Sequence, residues 1–213
     1  MTLSALIIAR NEEKKIEFTL KSLNFVDEIV VILDRSIDDT KKIASKYTKK
    51  IYEGSWESEG KRRNFGISKC SSKWIFEIDA DELIKKPLEK EIIQKLKFND
   101  CDFYYIPMIN FIGNKKITEG WMACLAPDGK FCLFRKGKKI WVDGSVHPQY
   151  QIKGKKGKTF VNSLYHYLSK DISDLLSKFN RNTSLYANDL RKKRESLNKL
   201  TSVRKIFSRF IKS

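Results

Sequence analysis

Apolar and polar positions in the first half of the chain switch repeatedly between a strand-like and a helical period. Leu3 to Ala9 is an almost unbroken apolar run of strand length. Glu13 to Leu23 then carries Ile16, Leu20 and Leu23 on one helical face, and Glu28 to Leu33 is again a buried strand. Ser36 and Asp39 offer a capping-box-like start for a helix through Ile43 and Ala44 to Tyr47. A brief strand at Lys50 to Tyr52, a helix at Gly60 to Lys69, a strand at Trp74 to Ile78 and a helix at Leu88 to Lys97 complete the series. Strands alternating with helices in this way predict βαβ units and an α/β fold around a mostly parallel sheet.

The second half is less regular. Phe103 to Ile106, Phe131 to Phe134 and Lys139 to Val142 are strand-like among glycine-containing turns, and residues 172 to 211 return to helical periodicity. No internal repeat interrupts the pattern. The expectation is one domain over residues 1–190, followed by a basic amphipathic helix over 191–213.

Composition sharpens this picture at three points. With 41% hydrophobic and 32% charged residues in 213, the chain is globular and long enough for a sizeable core. The formal charge of +17 implies an anionic partner, and residues 190 to 213 alone hold +8, nine Lys or Arg against Glu195. Cys70, Cys101, Cys124 and Cys132 form no C-x-x-C pair, so buried thiols of a reducing compartment are expected rather than a zinc site or a disulfide framework. Leu3 to Ala9 is too short to span a membrane and has neither a basic leader nor a cleavage site, so a cytoplasmic protein is expected.

The chemistry gathers at strand ends. Asn11, Asp34, Asp79 and Asp81 all follow the carboxyl ends of predicted strands, where open α/β sheets bind their ligands. Asp79-Ala80-Asp81 places two carboxylates at i and i+2, a pattern that can face one hard divalent cation such as Mn²⁺ or Mg²⁺. Alone, that pattern is equally a solvated turn in a chain with 26 acidic residues.

Its context is more specific. Ala5-Leu6-Ile7-Ile8-Ala9-Arg10-Asn11-Glu12-Glu13, Asp34-Arg35-Ser36-Ile37-Asp38-Asp39-Thr40, Lys61-Arg62-Arg63-Asn64-Phe65-Gly66 and Trp74 to Glu82 stand in that order. Gly120-Trp121, Pro127-Asp128 with Leu133-Phe134-Arg135, Val146-His147 and Tyr165-His166-Tyr167 follow. Together they resemble the family-2 glycosyltransferases, and within them the subgroup building lipopolysaccharide core and related envelope glycans. The likeness runs over residues 3 to 190. It implies a GT-A fold, a nucleotide-diphosphate sugar donor, inverting transfer to a glycan or lipid-linked acceptor, and a divalent metal. By the same likeness Ala9, Asn11, Glu12 and Asp34 line the base and ribose pocket, Lys61 and Asn64 lie near the nucleotide, Asp79 serves ribose or metal, and Asp81 binds the metal.

A developing diphosphate charge needs a cation, and Lys61 or Arg62 would help a metal supply it, the alternative for Lys61, Arg62 and Arg63 being a solvated helix face. Inversion needs a base for the acceptor hydroxyl. Relatives often carry an acid directly after the Val-His motif, where this chain has Pro148, so Asp128 is the preferred base and Asp143, beside Gly144, the second choice. Gly129, Lys130 and Cys132 stand where relatives tend to have an aromatic residue, Gln and Arg, so acceptor chemistry is expected to differ. His147 either completes the metal shell or is structural, and His166 is taken as structural.

Two rivals are weaker. A sugar nucleotidylyltransferase needs a glycine-rich phosphate loop where this chain has Arg10-Asn11-Glu12-Glu13. A nucleic-acid-binding protein accounts for the charge, but its phosphate track would meet Asp34, Asp79 and Asp81, so no nucleic-acid partner is expected. The basic tail, with Leu197, Leu200, Val203, Ile206, Phe207 and Phe210 at helical spacing, predicts peripheral contact with the anionic inner face of the cell membrane, the alternative being a helix docked on the domain.

Overall fold

The structure is a computed structural model and describes residues 2–98, 100–119, 129–142 and 149–192. β1 (Leu3–Ala9) leads to α1 (Ile16–Lys21), β2 (Glu28–Asp34), α2 (Thr40–Ala44), β3 (Ile51–Gly54), α3 (Glu59–Lys69) and β4 (Trp74–Asp79). β5 (Glu82–Leu83) and α4 (Lys86–Lys97) follow. Then come β6 (Phe103–Ile106), β7 (Met108–Ile112), β8 (Lys115–Lys116), β9 (Lys130–Arg135), β10 (Lys139–Trp141), β11 (Tyr150–Ile152), β12 (Leu164–Ser169) and α5 (Ile172–Lys192).

Six strands form the central sheet in the order β3-β2-β1-β4-β9-β6. β3, β2, β1 and β4 are parallel, and β9 enters antiparallel between β4 and β6. The central strands are apolar on both faces because both are covered. Ala5, Ile7, Val31, Leu33, Trp74, Phe76 and Ile78 face a core completed by Ile16 and Leu20 of α1 and Leu88, Ile92 and Leu96 of α4. Leu6, Val30, Ile32 and Ile75 face a second core with Ile67, Phe103, Phe131 and Phe134. Each fully buried Leu, Ile or Phe contributes about 1.5–3 kcal/mol. α3 lies close on this second face because Gly66 has no side chain, since a Cβ there would stand 2.7 Å from Leu6 Cδ1 and 3.1 Å from Ile32 Cγ1.

Several expectations are corrected in detail. α1 starts at Ile16 rather than Glu13, because Glu13 to Lys15 form a turn. Asp39 at the start of α2 makes no side-chain cap; Asp38 Oδ1 accepts from Thr40 N (3.1 Å) instead, while Ser36 Oγ accepts from Asn11 N (3.2 Å). The capping box is thus replaced by contacts that tie this loop to the one after β1. A four-stranded sheet, β5-β12-β7-β8, and the β10-β11 ribbon were not expected as such. Residues 172–192 are helical as read; the remainder of the predicted basic helix lies outside the described residues.

The amino-terminal edge of the sheet is fastened by Glu28, which accepts from Ser71 N (2.8 Å) and Ser71 Oγ (2.9 Å) and also pairs with Lys50 and Ser4. Burial alone would raise its pKa, but these donors outweigh burial and hold it down at about 2. The folded value lies below the ordinary 4.5, so this contribution is present above pH 4.5 and is lost as pH falls toward 2. Glu28→Gln should therefore be less stable near neutrality, yet lose less stability than the parent between pH 4.5 and 2, as urea midpoints across that range would register.

Candidate active site

β2, β1 and β4 end side by side, with Ala9 opposite Leu33 and Ile8 opposite Asp79. The chain leaves β1 and β2 through two left-handed residues, Asn11 (φ 55°) and Arg35 (φ 52°). Each non-glycine residue in this region costs about 1–2 kcal/mol, with Asn tolerating it better than Arg. The two loops are stitched together: Asn11 Oδ1 accepts from Ile37 N (2.9 Å), and Glu12 N donates to Thr40 Oγ1 (2.8 Å). Burial, then the nearby Asp81 charge, raises the Glu12 carboxyl above its ordinary value, which ties Glu12 electrostatically to the second aspartate of the D-x-D.

Ser58 caps α3 by accepting from Lys61 N, and this start sets which residues look inward. Arg62 and Arg63 reach acids at the ends of β2 and β4, the strands on either side of β1. Arg62 Nη1 donates to Asp34 Oδ2 (2.6 Å), while Arg35 holds both Asp34 oxygens at 2.9 and 3.1 Å. Asp34 is buried, which raises its pKa, but these guanidinium groups lower it overall. Arg63 Nη2 pairs with Glu59 (2.7 Å) and Asp79 Oδ1 (3.4 Å), and its guanidinium lies 4.8 Å from the Trp141 ring centre. Lys61, expected near the nucleotide, is exposed and paired with Glu57. Asn64 spends its amide on the Trp141 backbone, at 2.8 and 2.9 Å, and so fastens β10 to α3.

Beneath Asp79, two residues earlier on the same face of β4, lies the buried pair Glu77–Lys139. Trp141 Nε1 donates to Glu77 (2.8 Å), and the Lys139 ammonium sits 4.0 Å from the Trp141 ring centre and 4.7 Å from that of Phe131. Asp79 itself is held by Lys130: Nζ lies 2.7 Å from Asp79 Oδ2 and 2.7 and 2.6 Å from the two oxygens of Glu82. Glu82 also accepts from Asp79 N (2.8 Å). Burial would raise both acids. Lys130 and Arg63 overcome it at Asp79, which stays well below the carboxylate range, whereas at Glu82 burial and the Asp79 charge prevail and the pKa is raised.

Asp81 is different. Its Oδ1 faces His166 Nε2 at 3.6 Å and its Oδ2 faces Lys15 Nζ at 3.6 Å, neither a hydrogen-bond distance. His166 Nδ1 lies 2.9 Å from Asn110 Oδ1, an acceptor, so Nδ1 carries the proton and the Nε2 lone pair faces Asp81. Burial lowers the His166 pKa and keeps the ring neutral. A neutral imidazole whose far nitrogen is held by an acceptor, beside a carboxylate, suits Mn²⁺ or a similar divalent cation. Among the described residues no three His, Cys, Asp or Glu side chains are grouped to hold a metal. Two donors fit an ion that takes its other ligands from substrate phosphate and water.

The crevice thus brings together Ala9, Asn11, Glu12, Asp34, Asp79 and Asp81, and sets Lys61 and Asn64 at its margin. Asp128, Asp143 and His147 lie outside the described residues. The sequence reading assigns no role to Lys15 or Glu82, takes His166 as structural, notes Lys130 only as a departure from relatives, and leaves Arg63 open as a solvated helix face. The signals were present in Lys130, where relatives tend to carry Gln, and in His166, an imidazole in the aromatic strand Leu164–Ser169. Gly129, which precedes Lys130, has φ 88°, and a Cβ would stand 2.7 Å from the Ile106 backbone. No aromatic side chain fits that backbone.

Comparison with known proteins bears on the family and the fold. The sequence profile of "Glycosyl transferase family 2" matches residues 4–144. An "uncharacterized glycosyltransferase" of Rickettsia felis is 30% identical over 92% of this chain and 72% of its own length. The lipopolysaccharide core biosynthesis glycosyltransferase LpsC of Rhizobium meliloti is 26% identical over 88% of this chain and 71% of its own. A crystal structure of residues 1–349 of S. aureus TarS shares the fold, with a TM-score of 0.58 at 18% identity, covering 78% of this chain and 60% of that one.

Proposed function

This chain belongs to glycosyl transferase family 2 and has the GT-A fold, and on that premise we propose that it moves a sugar, with inversion, from a nucleoside-diphosphate donor to a glycan or lipid-linked acceptor of the cell envelope. The observation that carries this reading is the shared edge at the ends of β1, β2 and β4, where Asp34 and Asp79 are each held by arginine while Asp81 faces an imidazole without a hydrogen bond. Asn11, Glu12 and Asp34 line the base and ribose side. Arg62 Nε, buried with no acceptor among the described residues, is a donor available there.

Asp81 and His166 would hold Mn²⁺ or Mg²⁺, with His147 a further candidate. Such an ion, acting as Lewis acid, stabilises the charge that develops on the leaving diphosphate. Lys15, 3.6 Å from Asp81, adds a positive charge on the same side. The base accepts the proton of the acceptor hydroxyl, its oxygen bonds to the anomeric carbon from the face opposite the diphosphate, and the bond to the diphosphate breaks. Asp128 is our preferred base and Asp143 the second. Asp128 stands two residues before Lys130, which touches Asp79, and Asp143 two residues after Trp141, which lies against Arg63. Asp128→Asn should lower the transfer rate about a hundredfold or more with donor affinity nearly intact. That loss in Asp143→Asn instead would exchange the two roles.

The envelope assignment is supported by similarity to LpsC, whose acceptor class is adopted here as a proposal. No described helix is long and apolar enough to cross a membrane. We assign membrane contact to the basic segment 191–213. This makes the chain a peripheral protein of the cytoplasmic membrane face. The full chain is expected to co-sediment with anionic vesicles in a salt-sensitive way, and a chain ending at Asp189 to remain in the supernatant. Equal binding by both would remove the segment from this role.

The reading as a whole is tested by incubating the protein with a panel of nucleoside-diphosphate sugars and Mn²⁺ or Mg²⁺. Metal-dependent release of nucleoside diphosphate from at least one donor is expected. Release of pyrophosphate from a nucleoside triphosphate with a sugar phosphate would favour a nucleotidylyltransferase.

A further inference from the structure

Lys130 is placed between two acids of this crevice. Its ammonium has three protons, and three carboxylate oxygens lie within 2.7 Å: Asp79 Oδ2 and both oxygens of Glu82. A group so placed has no proton to spare for a diphosphate. It occupies instead the position a bound cation would take between the two acids. Arg63 closes Asp79 from the other side, at 3.4 Å from Oδ1. Positive charge thus stands on both sides of Asp79, and among the described residues Lys130 is the only cation paired with Glu82. Asp81 is not held in this way, since Lys15 and His166 both stand 3.6 Å from it.

Building on the proposed donor and metal, we infer that Lys130 is a tethered cation that closes Asp79 and Glu82 to metal, so that a divalent ion binds this enzyme only together with the donor's diphosphate. Asp81 and His166 alone offer a single negative charge and two ligand atoms, too few to strip the water from a hard divalent ion. The diphosphate supplies the missing oxygens and charge. With Gln at position 130, the carboxylates of Asp79 and Glu82 would lose that cation beside Asp81, and metal would load before nucleotide. Lys130 on this account sets the order of binding and positions Asp79; it touches neither the donor nor the acceptor.

The test is titration of Mn²⁺, read by electron paramagnetic resonance of the free ion, with and without UDP. The wild type should bind Mn²⁺ weakly alone and at least tenfold more tightly with UDP. Lys130→Gln should raise nucleotide-free Mn²⁺ affinity at least tenfold, whereas Lys130→Arg, which keeps a cation there, should not. Because Lys130→Gln leaves the buried Glu82 carboxylate without its counter-ion and is at risk of unfolding, the double variant Lys130→Gln/Glu82→Gln is the safer companion. It should still bind Mn²⁺ severalfold more tightly than Glu82→Gln alone. Equal nucleotide-free affinity in the double variant and in Glu82→Gln would overturn the inference. Failure of the wild type to bind Mn²⁺ even with UDP would instead count against the proposed metal-assisted transfer, a separate result.

Discussion

Replacing Asp81 by Asn is expected to cut turnover by about a thousandfold, the scale on which removal of a stabilising group facing a developing charge is felt. The amide keeps the shape of the carboxylate but removes its charge, and of the three strand-end aspartates Asp34, Asp79 and Asp81 only Asp81 is not held by a hydrogen-bonded cation among the described residues. Metal affinity measured with UDP present should fall in parallel. Asn110→Ala should produce a smaller version of the same defect, about tenfold to a hundredfold in metal affinity, because the bond that fixes the His166 tautomer is lost. Full activity in Asp81→Asn with unchanged metal dependence would remove this residue from the role.

The second large effect is on stability. Lys139 and Glu77 are an ion pair with side-chain exposures of only 1% and 2%. Lys139→Met should destabilise the protein by about 3–5 kcal/mol, since it leaves the Glu77 carboxylate buried with no counter-ion. The double variant Lys139→Met/Glu77→Gln should recover much of that loss, because no uncompensated charge remains. Denaturant midpoints for the two variants decide the matter. The pair matters for function as well. Lys139 and Glu77 hold Trp141, over which Arg63 lies on its way to Asp79, so the single variant should also weaken nucleotide binding at stability-permissive temperature.

What the sequence made legible follows from burial. β1, β2 and β4 are covered on both faces, so their apolar runs stand out, and the acids that end them mark the ligand edge without any structural help. β7 and β12 were not foreseen, because their aromatic residues pair with distant partners: Phe111 stacks on Tyr167 with ring centres 5.1 Å apart, a contact no local period announces. β5 and β8 are two residues each and carry no period at all. The site shows the same division. Asp34, Asp79 and Asp81 were visible as strand ends, whereas their counter-ions Arg63 and Lys130 come from elsewhere in the chain, Lys130 from 51 residues away. A sign was nevertheless available for one pair. Glu77 interrupts an otherwise apolar strand on the inward face it shares with Ile75, and such a charge requires a buried partner.

On the proposed function, the acidic edge of the sheet, rather than the overall positive charge, defines what this protein binds. Thermal unfolding of the full chain should be measured with UDP and Mn²⁺ together, with each alone, and with duplex DNA. Marked stabilisation by UDP and Mn²⁺ together, absent in Asp81→Asn, is predicted, since a ligand at a hundred times its Kd contributes about 2.7 kcal/mol to the folded state. Stabilisation by DNA alone, with no response to UDP and Mn²⁺, would contradict the account.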